Sequence, residues 1–298
     1  MAGRTALMTR SNSGAELAAL RRRATLRRAL RQTLLWSFIG LGLVITVLPA
    51  VWMVMSSFKN LAEISAVPMT LLPDHLRIEN YQKAIQLMRF PRVLTNSFII
   101  TVSITMANVF LCTWGGYTFS KLRWPGRDIV FLLILATMMI PSFLTLVPRY
   151  VLTAKLGMLN SYAGMTIPFM TGPFGIFLTK QFMLSIPNEL TDAAMVDGAS
   201  AFDIYWRVIL PLCKPIVAVL AIFVFNWSWD DLLWGVMILT NRSNWTLPIA
   251  IADLRAQGLE QYDLQMAGSA MAVIPVLIVF VLLQKYIVQG VTMSGIKG

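Results

Sequence analysis

The chain has 298 residues, 57% of them hydrophobic and 13% charged, with a formal net charge of +11 and a mean hydropathy of +0.67. A soluble domain carries roughly 25% charged residues, so the composition excludes an ordinary soluble enzyme and predicts one integral membrane domain. The positive excess gathers in an Arg cluster directly before an apolar run, a place that serves membrane orientation and not nucleic-acid binding.

Residues 1–33 form an Arg-rich tail dominated by Arg21, Arg22, Arg23, Arg27, Arg28 and Arg31. Leu20, Leu26, Leu30 and Leu34 would line one side of a surface helix. A disordered positive tail that only sets topology accounts for the same residues. Residues 34–298 read as a six-span membrane domain. Its first apolar run, Leu34–Phe58, is too long for a signal-peptide core and has no small-residue cleavage site, so it reads as an uncleaved span.

Further runs follow at Ser97–Ser120, Asp128–Val147, Ser161–Met183, Pro215–Thr240 and Met266–Val288. Each is long enough for a hydrocarbon core of about 30 Å at about 1.5 Å per residue. Pro49, Pro141, Pro168, Pro173 and Pro275 fall inside these runs. A packed membrane bundle tolerates them as kinks because neighbouring groups satisfy the freed backbone. Cys112 and Cys213 lie in or beside apolar runs and read as reduced packing residues. With the single His75, they leave no metal-ligand spacing.

Six spans put both termini on one side, and Lys and Arg choose which. With the N-terminus inside, the tail holds eight, 121–127 three, 180–214 three, and Lys285 and Lys297 two, making sixteen of the 25. That excess predicts cytoplasmic N- and C-termini. It also puts the longest inner loop, residues 184–212, in the cytoplasm.

This loop is soluble-looking. Pro187 suits a first helical turn, and Glu189 and Asp192 place negative charge at the positive helix end. Gly198 is placed to end the helix in a left-handed conformation. A second helical run, Phe202 to Val208, meets Leu210-Pro211 before the next span. Ala193, Ala194, Gly198 and Ala199 are small enough to let a backbone lie close to another surface, as in a groove of a partner protein. A loop packed on its own bundle accounts for them equally well.

A second anomaly is "FNWSWDDLLW", Phe225 to Trp234, which puts Asp230 and Asp231 inside an expected span. A charge at mid-helix costs about 2.5–3.5 kcal/mol on insertion scales, so such residues face a cavity or a partner helix. Asn226, Trp229, Asp230 and Asp231 are therefore candidates for a solute pathway or a gate. Helix packing, or a position at the outer water boundary, is the competing account.

The loop's "DAAMVDG…VILP" resembles the signature of permease subunits of binding-protein-dependent ABC importers: E-A-A, three residues, G, nine residues, I-x-L-P. Asp192-Ala193-Ala194, Gly198 and Val208-Ile209-Leu210-Pro211 keep that spacing, with Asp192 for Glu and Val208 for Ile. "SSFK", "NYQKAI", "TNSF", "GYTFSKLRWPGR" and "MMIPSFLTLVP" resemble the carbohydrate branch of the family. The ending "MAGSAMAVIPVLIVFVLLQKYIVQGVTMSGIKG" is most similar to the maltose-permease G-subunit type.

The resemblance implies an all-α integral membrane protein with six transmembrane helices and the type I ABC importer permease fold, in a bacterial or archaeal inner membrane. It implies a coupling helix that docks on a cytoplasmic ATPase pair, with Glu189, Asp192, Ala193, Ala194, Gly198, Ala199, Leu210 and Pro211 as the coupling residues. The chain has no G-x-x-x-x-G-K-[ST] loop of its own. ATP and Mg²⁺ would therefore sit on the partner ATPase, and this chain would bind no cofactor or metal and catalyse nothing. The other implied partners are a second homologous permease, an extracytoplasmic solute-binding protein and membrane lipid, with no nucleic acid. The family usually has Trp-Asn where this chain has Trp229-Asp230.

The implied cargo is a sugar or sugar-like solute. Within ABC transport the alternative is an amino sugar, a glycerophosphodiester or another polar solute. From another class, an ion-gradient-driven transporter would use an intramembrane carboxylate such as Asp230, but it leaves the cytoplasmic insert without a purpose. An intramembrane enzyme is disfavoured because the chain has neither H-E-x-x-H nor G-x-S-x-G.

Overall fold

The computed structural model describes the backbone of residues 2–256 and 261–295 and the side chains of residues 27–254 and 261–285. Lys297 and the side chains of Leu20, Leu26 and Arg21 to Arg23 lie outside the described residues. Every regular element among the described residues is helical. The chain divides into two units, Met1–Met55 and Ser56–Gly298.

The first unit is one helix, α1 (Ala2–Ser56), with Pro49 inside it. It has no second element within its own unit. Its stretch Arg27–Ser56 is long and apolar enough to cross a membrane.

The second unit begins with α2 (Leu61–Ile64) and α3 (Glu79–Met88), then α4 (Phe90–Ser120), α5 (Arg127–Thr137) and α6 (Leu146–Lys155). After these come α7 (Tyr162–Thr166), α8 (Pro173–Leu184), α9 (Glu189–Val196), α10 (Ala201–Asp203) and α11 (Leu210–Leu212). The unit closes with α12 (Lys214–Trp229), α13 (Leu233–Ile238), α14 (Leu247–Ala256) and α15 (Tyr262–Gly295).

Helix α4 is the spine of this unit. Arg89, in the left-handed region at φ 53°, breaks the chain after α3, and Pro91 then suits the first turn of α4. The helix therefore starts seven residues before the expected span, at Phe90 in place of Ser97. Its buried residues Val93, Asn96, Ile100, Ile104, Asn108, Cys112 and Gly116 recur at helical spacing. Small and polar members of that stripe let backbones approach and hydrogen-bond, which is how membrane helices associate. Thr179 Oγ1 of α8 donates to Cys112 O at 2.7 Å. A methyl group on Gly175 would overlap the Cys112 side chain, so the two helices are nearly in backbone contact there.

Three buried clusters lie along α4. Val93 joins Met88, Phe225, Trp229 and Leu264. Ile100 and Ile104 join Met165, Trp234 and Ile238. Tyr117 joins Met183, Ile204, Tyr205, Ile209 and Cys213.

The expected spans match well at α4 and α15 and less well between them. By length and composition, three described helical stretches cross a membrane alone: 27–56, 90–120 and 262–285. Counting each of two bent pairs as one span raises the number to at most five. The third expected run, Asp128–Val147, is α5 followed, after a 94° bend, by a 3₁₀ turn and α6. Pro141, at ψ 131°, causes that break: it lacks a donor and pushes the residue before it out of the helical region. The fourth, Ser161–Met183, is not one helix. It comprises α7, a 3₁₀ turn at Ile167–Phe169, an extended Gly172 and the twelve-residue α8, which begins at Pro173. The fifth ends at Trp229, eleven residues before the expected Thr240, with α13 as a separate piece.

Candidate functional site

The segment between α8 and α12 forms a helical elbow. Helix α9 begins at Glu189, with Asp192 also in its first turn, and ends at Val196. Gly198 takes φ +81°, as the sequence predicts. Gly198 N donates to Met195 O and Ala199 N to Ala194 O, each at 3.0 Å, closing the helix end. Ser200 Oγ then caps α10 by accepting from Asp203 N at 3.2 Å.

From Ile204 to Ile209 the chain winds as a π-helix, and the Leu210 amide reaches back to Tyr205 O. Helical structure runs on through Leu210 and Pro211 to Leu212. The expected break at Leu210-Pro211 falls instead at Cys213, where Ala201–Leu212 and Lys214–Trp229 meet at 81°.

The elbow sits on its own bundle through a buried aromatic knot. Ile204, Tyr205 and Ile209 are buried with Tyr117, Met183, Ile186 and Cys213. The Trp114 ring meets Tyr205 edge-on at 4.8 Å and Phe202 at 5.5 Å. The Tyr205 and Thr113 hydroxyls are 2.8 Å apart. At the entrance, Lys121 Nζ donates to Ile186 O at 2.5 Å and to Asn188 Oδ1 at 2.8 Å. Burial holds the Lys121 ammonium below the usual lysine range, opposed by the nearby Cys213, Glu189 and Asp192.

The predicted coupling residues divide by face. Ala194, Ala199 and Leu210 pack inward against the aromatic knot. Glu189, Asp192, Ala193, Gly198 and Pro211 are exposed. Beside them stand three exposed apolar residues: Leu190 at 44% exposure, Met195 at 55% and Val196 at 88%. The small residues thus serve two surfaces, one of them the chain's own. Lys121, Thr113 and Tyr205 were legible only as an inside anchor, a span residue and a loop aromatic.

The four membrane candidates also separate. Trp229 is buried, stacked on Phe225 at 5.6 Å, and donates from Nε1 to Ala272 O at 3.1 Å, joining α12 to α15. Asp231 Oδ1 accepts from Trp234 N at 3.2 Å across the start of α13. Both therefore make packing contacts within the bundle, and Trp229 also forms part of the wall of the cavity that Asn226 and Asp230 line. Asn226 and Asp230 are exposed and line a cavity of about 420 Å³ between α12, α14 and α15, with Gln265 and Ser269.

Nearby, the Arg149 guanidinium lies 4.8 Å from the Phe169 ring and 5.8 Å from the Trp234 ring, within electrostatic reach of Asp231. Arg149 stands two positions past the end of the third expected run. Its two aromatic partners lie 20 and 85 positions away and give no local signal.

Residues 99–293 match the family described as "Binding-protein-dependent transport system inner membrane component". The arabinooligosaccharides transport system permease protein AraQ of Bacillus subtilis is 34% identical over 203 residues, 68% of this chain and 72% of that protein. The sn-glycerol-3-phosphate transport system permease protein UgpE of Brucella abortus is 31% identical over 260 residues, 84% of this chain and 92% of that one.

Among solved structures, a bacterial ABC transporter involved in the import of the acidic polysaccharide alginate contains a chain similar at a TM-score of 0.74. Its identity is 23%, covering 84% of this chain and 94% of that one. The alginate transporter in complex with an alginate pentasaccharide-bound periplasmic protein matches at 0.59, with 16% identity over 85% and 93%. The shared fold is the all-α permease fold that the sequence resemblance implies.

Proposed function

Because this chain belongs to the family of binding-protein-dependent transport system inner membrane components, and is thus an ABC transport subunit and not an enzyme, we propose that it forms half of the membrane passage of a sugar importer. The cargo is a sugar or sugar-like solute, handed over by an extracytoplasmic binding protein. A second, homologous permease completes the passage. A cytoplasmic ATPase pair, holding ATP and Mg²⁺, drives it. Both termini and the 184–212 loop face the cytoplasm.

One observation carries the coupling role. Helix α9 leaves Leu190, Met195 and Val196 exposed beside Glu189 and Asp192, although its other face is seated on the bundle. A helix anchored on one side and apolar on the other is suited to a groove in a partner. ATP binding on that partner shifts the permease between states only by holding the elbow differently in each.

The exposed Asn226 and Asp230 with Gln265 and Ser269 supply the polar contacts that a hydroxylated solute needs. The relatives' names support a sugar: one is named for arabinooligosaccharides. A second reading, a phosphorylated polyol, is favoured by the relative named for sn-glycerol 3-phosphate.

The test is to purify the assembled complex with its co-encoded partners and to measure which solute, delivered by the binding protein, stimulates ATP hydrolysis. Stimulation by neutral saccharides is expected. Stimulation by sn-glycerol 3-phosphate alone would move the cargo to the second reading, and uptake by this chain without an ATPase would overturn both.

A further inference from the structure

The coupling elbow is joined covalently to α8 and α12, and neither junction is a continuous helix. The route into α12 turns through 81° at Cys213, between Pro211 and Pro215, two residues without a backbone donor. The route from α8 passes through non-helical residues 185–188.

The firm attachments run sideways, to α4. At the elbow's exit, Tyr205 and Thr113 are both fully buried and their hydroxyls are bonded at 2.8 Å. At its entrance, Lys121, the residue just past the end of α4, binds Ile186 O and Asn188 Oδ1 together. Thr113 and Lys121 are eight residues apart, about 12 Å along a helix. Two attachments that far apart on one rod remove translation and leave only rotation about the line that joins them. Between them Trp114 and Tyr117 pack on Tyr205 at 4.8 and 5.6 Å.

We propose that the elbow is a rigid outgrowth of α4, fixed by Thr113 and Lys121, and that Lys121 is the positioning residue that sets its entry. A stroke applied to α9 then reaches α4 first. From α4 it spreads to α8 through the close Gly175–Cys112 approach and to the two further clusters on Ile100, Ile104 and Val93. This rests on the reading of residues 187–211 as the element that docks on an ATPase.

The experiment uses the complete transporter in proteoliposomes and reads solute moved per ATP hydrolysed. Lys121→Met keeps the aliphatic stem and removes every donor. It is expected to lower that ratio about tenfold, on the scale of a lost charge-assisted hydrogen bond. Lys121→Arg is expected to restore most of it. Tyr205→Phe, which keeps the ring packing, is expected to lower the ratio less, and the double variant to fall below the product of the two.

The proposal is overturned if both single variants keep the wild-type ratio, or if hydrolysis and uptake fall in equal proportion, as general misfolding would give. Should Lys121→Met fail to assemble, Tyr205→Phe decides by the same criteria. Val196→Cys, used for cross-linking, tests the underlying reading separately. No cross-link to the ATPase sinks that reading, whereas a cross-link with normal coupling in both variants sinks only the α4 attachment.

Discussion

Gly116 of α4 lies against Thr179 of α8 so closely that a methyl group added to the glycine would overlap the threonine hydroxyl and come within 2.9 Å of the Lys180 amide nitrogen. One of those obstacles is backbone, so the contact has no flexible way out. Gly116→Ala is expected to destabilise the bundle by about 1–3 kcal/mol, the usual cost of overpacking. Thermal unfolding of the detergent-solubilised complex would register it. An unchanged midpoint would mean that α4 and α8 separate more easily than their packing implies.

Gly198 is the opposite case. Its φ is +81° and nothing stands within 4 Å of an added Cβ. Gly198→Ala therefore meets only backbone strain, about 1–2 kcal/mol, and Gly198→Asn less, because asparagine tolerates the left-handed region. Gly198→Asp also adds a charge beside Asp197 on the exposed face. It is expected to insert normally yet lose ATPase stimulation. Stimulated hydrolysis at wild-type rate in that variant would remove this turn from the docking face.

Val196 is 88% exposed at the end of α9. If the elbow docks there, Val196→Asp buries an unpaired carboxylate in the interface. Binding of the ATPase pair to the permease pair should weaken by at least about tenfold, while Val196→Met should leave it nearly unchanged. Equal affinities for the two variants would place the docking face elsewhere on the loop.

The adjacent carboxylates should behave differently. Asp231→Asn keeps the acceptor for Trp234 N, whereas Asp231→Ala removes it and should cost about 1 kcal/mol, as a lost helix cap does. Asp230 is exposed, and Asp230→Asn is expected to retain substantial transport. Complete loss of uptake in an assembled Asp230→Asn complex would instead show that passage needs the negative charge itself and not only a polar contact.

The features readable from sequence are those with local causes. Gly198 ends a short helix because, without a Cβ, it takes positive φ at no steric cost, and that is what the chain does. The apolar runs behind α4 and α15 are long, and each forms one unbroken helix even past Pro275, so hydropathy located them. Between them, runs of similar hydropathy hide Pro141 and Gly172-Pro173, where the chain turns and does not cross straight. Hydropathy averages over such points.

The elbow's two faces were not readable for a different reason. Ala193 and Ala194 are equally small, and only the tertiary position of Tyr205, buried against α4, decides that one points outward and the other in. The same holds for Trp229 and Asp230, adjacent in sequence and both on the wall of one cavity, the first buried and bonded to Ala272 O and the second exposed.

The wide turn from Ile204 to Ile209 holds one residue more per loop of backbone than an ordinary helix would. Excising a single amino acid there would let the ladder relax to regular winding. It would also swing everything on one side of the cut by about 100° about the axis, carrying the Tyr205 hydroxyl away from Thr113. A shortened chain would therefore gain helical regularity and yet aim the outer face of its elbow in the wrong direction.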